Sequence, residues 1–314
     1  MGWLARKYGL ASDNLLSVDI VTADGKLRTA SATENADLFW GVRGGGGNFG
    51  VVTSFEYQLH PVGPVVGGFV FYPFAMAKEV LQRYRELTQA APDELAADAA
   101  LLTLPDGTNV AGIAACYCGP VADGKRMLGP LKTFGTPLVD QLGPTSYTAV
   151  QTMLDASYPS GIQHYWKSSF LQDISDKAAD TMIAQCTSRP SPMCHGLLEY
   201  QLGGAVGRVD RDATAFAARD AQHAFLSLGV WAEPAEAKRC ALWAREFWQA
   251  MQPFSTGGVY VNYLGLEIDE GTERLRAAYG TEKYQRLLAL KEKYDTTNLF
   301  RLNQNIRPIA TARA

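Results

Sequence analysis

DLFWGVRGGGGNFGVVTSFEYQL, residues 37–59, places four consecutive glycines, Gly44 to Gly47, between a helix-like run (Asp37 to Val42) and a strand-like run (Val51 to Leu59). Glycine at this density strips Cβ atoms from one surface, so a backbone can approach a planar or phosphorylated ligand closely. Gly45, Gly47 and Gly50 match G-x-G-x-x-G, the pattern of a dinucleotide loop. Such a loop follows a strand and opens a helix, so that helical N–H groups meet the pyrophosphate. Here the order is helix, glycines, strand, and Phe55, Tyr57 and Leu59 alternate with Glu56 and Gln58. The region where a ribose-binding acid belongs reads Gly67-Gly68-Phe69-Val70. The glycines therefore serve another ligand, or only a tight turn.

Upstream, Leu15 to Thr22 and Lys26 to Ser31 predict a hairpin around Asp24-Gly25, a favoured two-residue turn. Pro61, Gly63 and Pro64 then interrupt the pattern and mark a boundary. From about residue 65 to 255 the chain alternates strands and helices. Strands are expected at 65–72, 99–104, 110–117, 164–171, 196–202 and 224–231, and helices at 75–90, 124–134, 147–154, 176–188 and 235–251. Strands separated by helices of this length suit a sheet covered on one face. After Gly257-Gly258 comes a strand-like VYVNYLG, then an amphipathic helix from Thr281 to Tyr294 with Tyr284, Leu287, Leu288 and Tyr294 inward. LFRLNQNIRP follows.

The 314 residues carry a net charge of −3 and no Lys/Arg run, which gives no field for nucleic acid or a membrane surface. No apolar stretch approaches the roughly 20 residues of a spanning helix, and Met1 to Lys7 lacks a signal-peptide core. Cys116, Cys118, Cys186, Cys194 and Cys240 are scattered, as are His60, His164, His195 and His223. Buried free thiols, no metal site and a reducing, cytoplasmic compartment are expected.

Two separated segments carry a resemblance. DLFWGVRGGGGNFGVVTSFEYQLHPV resembles the end of the FAD-binding domain in flavin-linked oxidases of the PCMH (vanillyl-alcohol oxidase) superfamily. YVNYLG, then AAYGTEKYQRLLALKEKYDTTNLFRLNQNIRP, is similar to the berberine-bridge-enzyme segment, whose pattern runs Y-x-N-Y, YG, K-x-K-Y-D-x-x-N-x-F and N-Q-N-I-x-P. GGAVGRV, at Gly203 to Val209, resembles bacterial members. Together the two main segments cover about a quarter of the chain.

The resemblance implies an α+β fold. Residues 1–62 would be the C-terminal part of a PCMH-type FAD-binding domain, 63–257 a substrate-binding domain with an antiparallel sheet covered by helices, and 258–314 a segment returning to the flavin. It implies FAD as cofactor, a small-molecule alcohol, sugar or secondary-metabolite substrate, and O₂ as final acceptor. It also implies, ahead of Met1, an N-terminal half holding the pyrophosphate loop and covalent flavin anchors. Those anchors are absent: no cysteine precedes Cys116 and no histidine precedes His60. A truncated, non-catalytic module, or one that partners a separate N-terminal half, is the alternative reading.

Carried over residue by residue, the resemblance makes Tyr263 the catalytic phenol, against a bland reading as a sheet tyrosine packed in the core. Removing a substrate proton with a tyrosine of ordinary pKa, about 10, needs cationic or flavin assistance. If the segment were a strand, Tyr260 and Asn262 would point away from Tyr263. Gly46, Gly47, Asn48, Phe49, Gly50 and Val51 are the candidate flavin-contacting turn, joined by Tyr260, Asn262, Asn303 and Asn305. Arg43 caps its helix or meets a phosphate, and Asp13 and Asn14 sit near the cofactor or in a turn. Some members use a carboxylate on the strand at 224–231, where this chain offers Phe225, Ser227 and Leu228. Glu199 and Gln201 alternate with Tyr200 and are candidate substrate contacts.

Overall fold

Gly25, at φ +75°, closes the expected hairpin: β1 (Leu15–Val21) pairs antiparallel with β2 (Leu27–Ser31) in the computed structural model, which describes residues 1–265 and 271–308. The Asp24 carboxylate accepts from Thr22 Oγ1, the Lys26 amide and the Arg28 guanidinium, so the turn is tied by its own side chains. β3 (Val51–Tyr57) joins the other side of β1, giving the order β2-β1-β3.

The remaining strands are β4 (Val65–Pro73), β5 (Leu95–Thr103), β6 (Asn109–Tyr117), β7 (Val139–Asp140), β8 (Gly143–Thr145), β9 (Gln163–Leu171), β10 (His195–Glu199) and β11 (His223–Trp231). They form one antiparallel sheet in the order β7-β4-β6-β5-β10-β11-β9, with β8 also on β4. β5 begins at Leu95, earlier than expected. Its first residues, LAADA, are alanine-rich, yet all nine pair with β6, so sheet pairing overrides their helical propensity.

The chain forms two compact units: 1–7 with 61–205 and 220–257, and 8–60 with 206–219 and 258–314. Residues 1–7 and 206–219 thus group across the boundaries read from the sequence. In the first unit, helices Ala77–Gln89, Asp176–Thr187 and Ala237–Met251 cover one sheet face. Their core includes Tyr72, Tyr84, Leu95, Ile113, Phe225 and Phe247. The expected helix at 124–134 is instead an α-helix, Val121–Leu128, capped by Pro120 and followed by a 3-10 turn. Cys116, Cys186, Cys194 and Cys240 are buried, Cys118 is half-buried, and all five are free thiols. Burial pushes the Cys116, Cys186 and Cys194 thiols up to about 12, so they are inert.

In the second unit, helix Ala36–Val42 and helix Thr281–Tyr294 pack with β1 around Leu38, Trp40, Phe49, Leu287 and Ile306. Full burial of Leu287 and Leu288 contributes about 1.5–3 kcal/mol each. Among the described residues, no helix is long and apolar enough to cross a membrane.

Candidate functional site

The glycine run divides its labour. Gly45 and Gly50 are packing positions: a Cβ on Gly45 would strike Leu287, and one on Gly50 would strike Ile20 and the Val21 carbonyl. Gly44 adopts φ +126°, and a Cβ there would lie 2.5 Å from the Phe216 backbone nitrogen. Gly44→Ala is therefore expected to cost about 1–3 kcal/mol of strain, read as a lowered thermal midpoint; an unchanged midpoint would contradict it. Gly46 and Gly47 are exposed.

Asn48 and Phe49 are not ligand-facing through their side chains. Phe49 is 1% exposed, in the core. Asn48 Nδ2 donates to the Gly45 and Gln304 carbonyls at 2.9 and 3.1 Å, and its Oδ1 accepts from the Ile306 amide at 3.0 Å. Neither side chain is left for a cofactor, and the Asn48 carbonyl is also taken, by Lys291 Nζ. Val51 is exposed, on free-edge β3. Arg43 donates to the Ala213 carbonyl at 2.8 Å and lies over the Phe39 ring. Asp13 forms a buried ion pair with Arg219 at 2.7 Å, and Asn14 bridges the Tyr8 and Leu10 carbonyls.

The K-x-K-Y-D pattern is the clasp that holds this loop. Lys291 and Asp295 are 0% exposed and 2.7 Å apart. Lys291 Nζ also donates to the Asn48 carbonyl at 2.9 Å and the Phe300 carbonyl at 2.6 Å. The Asp295 carboxylate accepts from the amides of Leu299 and Phe300 at 2.7 and 2.8 Å. Lys293 and Tyr294 both reach Asp37 in the helix before the glycines. Lys283 makes a second anchor, donating to the carbonyls of Arg211, Thr214 and Phe216. Burial lowers its pKa to about 8.

The strand expected at VYVNYLG is absent. Val261–Tyr263 is a 3-10 turn, with the Tyr263 amide bonded to the Tyr260 carbonyl at 2.8 Å. Side chains three apart eclipse in such a turn, so Tyr260 and Tyr263 meet edge to face at 5.5 Å rather than pointing apart. Asn262 donates to the Tyr260 hydroxyl at 2.7 Å, and burial raises the Tyr260 pKa.

Contacts within the second unit link these pieces. Phe216, packed on Gly44, meets the Tyr260 ring at 6.5 Å. Gln304 Nε2 donates to the Leu264 carbonyl at 2.6 Å while its own carbonyl accepts from Asn48. The Asn303 amide lies against Gly47. Asn305 Oδ1 is buried with no hydrogen-bond partner among the described residues. A flavin fits these residues in two respects: the exposed Gly46-Gly47 backbone has no Cβ, and Asn305 offers a buried acceptor awaiting a donor.

In the first unit, the sheet face away from the helices floors a cavity of about 900 Å³. Ala100, Gly112 and Ala114 keep the floor deep, and Phe69, Phe71 and Leu197 stand beside them. Glu199 lines this cavity, with Asp98, Tyr158, His164 and His195. Burial, then the Glu199 charge, pushes Asp98 well above the ordinary carboxylate range, against a hydrogen bond from the Tyr200 amide at 2.9 Å. Gln201 does not share the cavity. Tyr200 takes φ +50°, which breaks the alternation, and Gln201 turns inward to bond the Ala97 amide and Thr88 carbonyl. Ser227 and Phe225 face the helices.

Sequence reasoning missed Asp98 and Lys291. A single acid inside the apolar run LAADAALLT was a usable signal for the first. For the second, Lys291 continues the Tyr284, Leu287, Leu288 stripe at i+3 and so falls on the buried face. Among the described residues, no group of three or more His, Cys, Asp or Glu could hold a metal ion.

A Cβ-free turn, a phenol pair and an unpartnered buried acceptor thus lie in one unit of an α+β chain. The family model described as "Berberine and berberine like" matches residues 259–307. An FAD-linked oxidoreductase of Dictyostelium discoideum is 30% identical over 98% of this chain and 66% of its own length. The (R)-6-hydroxynicotine oxidase of Paenarthrobacter nicotinovorans is 30% identical over 98% of this chain and 68% of its own. The crystal structure of 6-hydroxy-D-nicotine oxidase from Arthrobacter nicotinovorans superposes with a TM-score of 0.82 at 26% identity, covering 98% of this chain and 69% of that one. The chain belongs to the berberine-bridge-like FAD-linked oxidoreductases, a family of enzymes, and spans about two thirds of the length of these relatives.

Proposed function

We propose that this chain supplies the flavin edge and substrate lobe of an oxidoreductase that moves hydride from an alcohol, sugar or secondary-metabolite carbon to FAD, with O₂ as the final acceptor. The observation that carries the reading is the joining of the Gly46-Gly47 tip, Asn303, Asn305 and the Tyr260–Tyr263 pair within one unit. Bound FAD would supply a ring that accepts hydride. Gly46 and Gly47 give it backbone approach, and Asn303 and Asn305 offer polar partners. Tyr263 takes the proton from the substrate heteroatom as hydride leaves. Tyr260, its hydroxyl accepting from Asn262, holds the Tyr263 ring by edge contact.

The test begins with purified chain incubated with FAD, alone and with the N-terminal half of a relative's flavin domain. Retained visible flavin absorbance is expected in at least the second mixture. Tyr263→Phe is expected to retain that flavin and slow its reduction by substrate about 10²-fold or more. Reduction at the unaltered rate would remove Tyr263 from the chemistry.

A second reading is supported by the exposed apolar residues on and after β3: Val51 at 59%, Phe55 at 56% and Leu59 at 80%. Such surface on a free sheet edge suits association, so the chain would act as a binding module without its own catalysis. Failure of both mixtures to retain flavin favours this reading.

A further inference from the structure

One aromatic side chain of the second unit joins the glycine turn to the phenol pair. Phe216 is 7% exposed, and its backbone lies so close to Gly44 that only a residue without a Cβ fits there. The segment carrying it is held from several sides. The Ala215 amide donates to the Arg43 carbonyl at 3.1 Å. An ammonium has three N–H donors, and Lys283 directs its own to the carbonyls of Arg211, Thr214 and Phe216. Arg219 lies over the Phe216 ring at 5.1 Å. Its guanidinium is fixed in turn by both Asp13 oxygens, at 2.7 and 2.8 Å, and by Thr214 Oγ1 at 2.7 Å. The Phe216 ring meets the Tyr260 ring at 6.5 Å and 70°, and Tyr260 meets Tyr263 at 5.5 Å and 83°. Both are edge-to-face arrangements, in which aromatic rings attract.

We propose that Phe216 is a positioning residue: its ring sets the Tyr260 ring, and through it the Tyr263 phenol, so that the glycine turn and the phenol pair are held as one piece. The clamps on Phe216 leave its ring little freedom. The two tyrosines, by contrast, stand on a three-residue 3-10 turn, an element of poor hydrogen-bond geometry that needs outside support to orient long side chains. Lys283 and Arg219 supply that support through Phe216 rather than by touching the proton acceptor. The consequence for the reaction rests on the role given above to Tyr263, whereas the chain of ring contacts does not.

The test needs no cofactor. The full chain, without FAD and with carbon-13 in its tyrosine rings, is followed by NMR, and the ring signals that vanish in Tyr260→Phe and in Tyr263→Phe identify the two residues. Phe216→Leu is expected to move both sets of signals. It should also bring the Tyr260 ionisation, which burial raises, down toward the ordinary value of about 10. Phe216→Tyr keeps a ring and is expected to hold both sets near their wild-type positions. Gly44→Ala presses on the Phe216 backbone, so it should move the same signals and serves as the test should Phe216→Leu not fold. A residue that merely filled the core would lower the thermal midpoint in Phe216→Leu and leave the Tyr263 signals in place. Unmoved Tyr263 signals in folded Phe216→Leu or Gly44→Ala, or a displacement as large in Phe216→Tyr as in Phe216→Leu, would overturn the proposal. Flavin reduction at the unaltered rate in Tyr263→Phe would instead remove the catalytic reading and leave these signals as they are.

Discussion

Asp295→Asn is expected to destabilise the second unit by about 3–5 kcal/mol, the cost of stranding one partner of a buried ion pair. Lys291 and Asp295 are fully buried, and the lysine also satisfies the carbonyls of Asn48 and Phe300. Without the carboxylate, an ammonium remains in the core, and the amides of Leu299 and Phe300 lose their charged acceptor. Hydrogen exchange along 284–308, read beside urea unfolding, should show early opening of the segment carrying Asn303 and Asn305. Lys291→Met should be costly as well. The double variant should cost less than the sum of the single ones, because the two residues share one interaction. A loss below about 1 kcal/mol in Asp295→Asn, a typical value for an exposed pair, would sink the clasp.

The acid limb tests the same pair by a second route. Burial raises the Asp295 pKa, but hydrogen bonds from Lys291, Phe300 and Leu299 outweigh it and hold the carboxyl below its usual value. A depressed folded pKa contributes stability that is complete above the unfolded value and lost as pH falls through the folded one. The gap between wild type and Asp295→Asn should therefore narrow in acid.

Acidification from pH 6.5 to 4 is expected to remove about 3 kcal/mol from the first unit through His223, at 1.36 kcal/mol per pKa unit. His223 is 5% exposed on β11, and burial lowers its pKa to about 4, with Asp173 raising it and Arg6 lowering it in smaller measure. Its Nδ1 lies 3.1 Å from the Tyr84 hydroxyl, which burial keeps protonated. The phenol also lies 3.3 Å from the Ala97 carbonyl, to which it donates, and it shares a hydrogen bond with the neutral imidazole. Between the folded and unfolded values the unfolded chain holds a proton that the folded chain refuses, so stability falls as pH falls. His223→Gln should flatten the urea midpoint between pH 6.5 and 4 relative to wild type. An unchanged slope would assign the acid sensitivity elsewhere.

Much of the fold was legible because its causes are local. Asp24-Gly25 specifies a turn through its own side chain and a positive φ, and the Tyr284-Leu287-Leu288 stripe specifies a helix face by spacing alone. The sheet of the first unit was legible as strands and helices in alternation, with boundaries shifted where pairing outweighed propensity, as at Leu95.

The site divides along the same line. By itself the sequence determined the class: a glycine turn in the wrong order for a dinucleotide loop, joined to YVNY and LNQNIRP, points to a flavin-linked family. Tertiary structure alone decided which of those residues are free to act. Asn48 lies 256 positions from Gln304 and 258 from Ile306, and its side chain is committed to both, so it is lost to a ligand. Tyr260 and Tyr263 meet because a 3-10 turn replaced a strand. Gln201 parts from Glu199 because one backbone angle at Tyr200 reversed the alternation. The physical reason is common to all three. Spacing fixes where a side chain begins, whereas its direction and its partners depend on backbone angles and distant contacts that only the folded chain supplies.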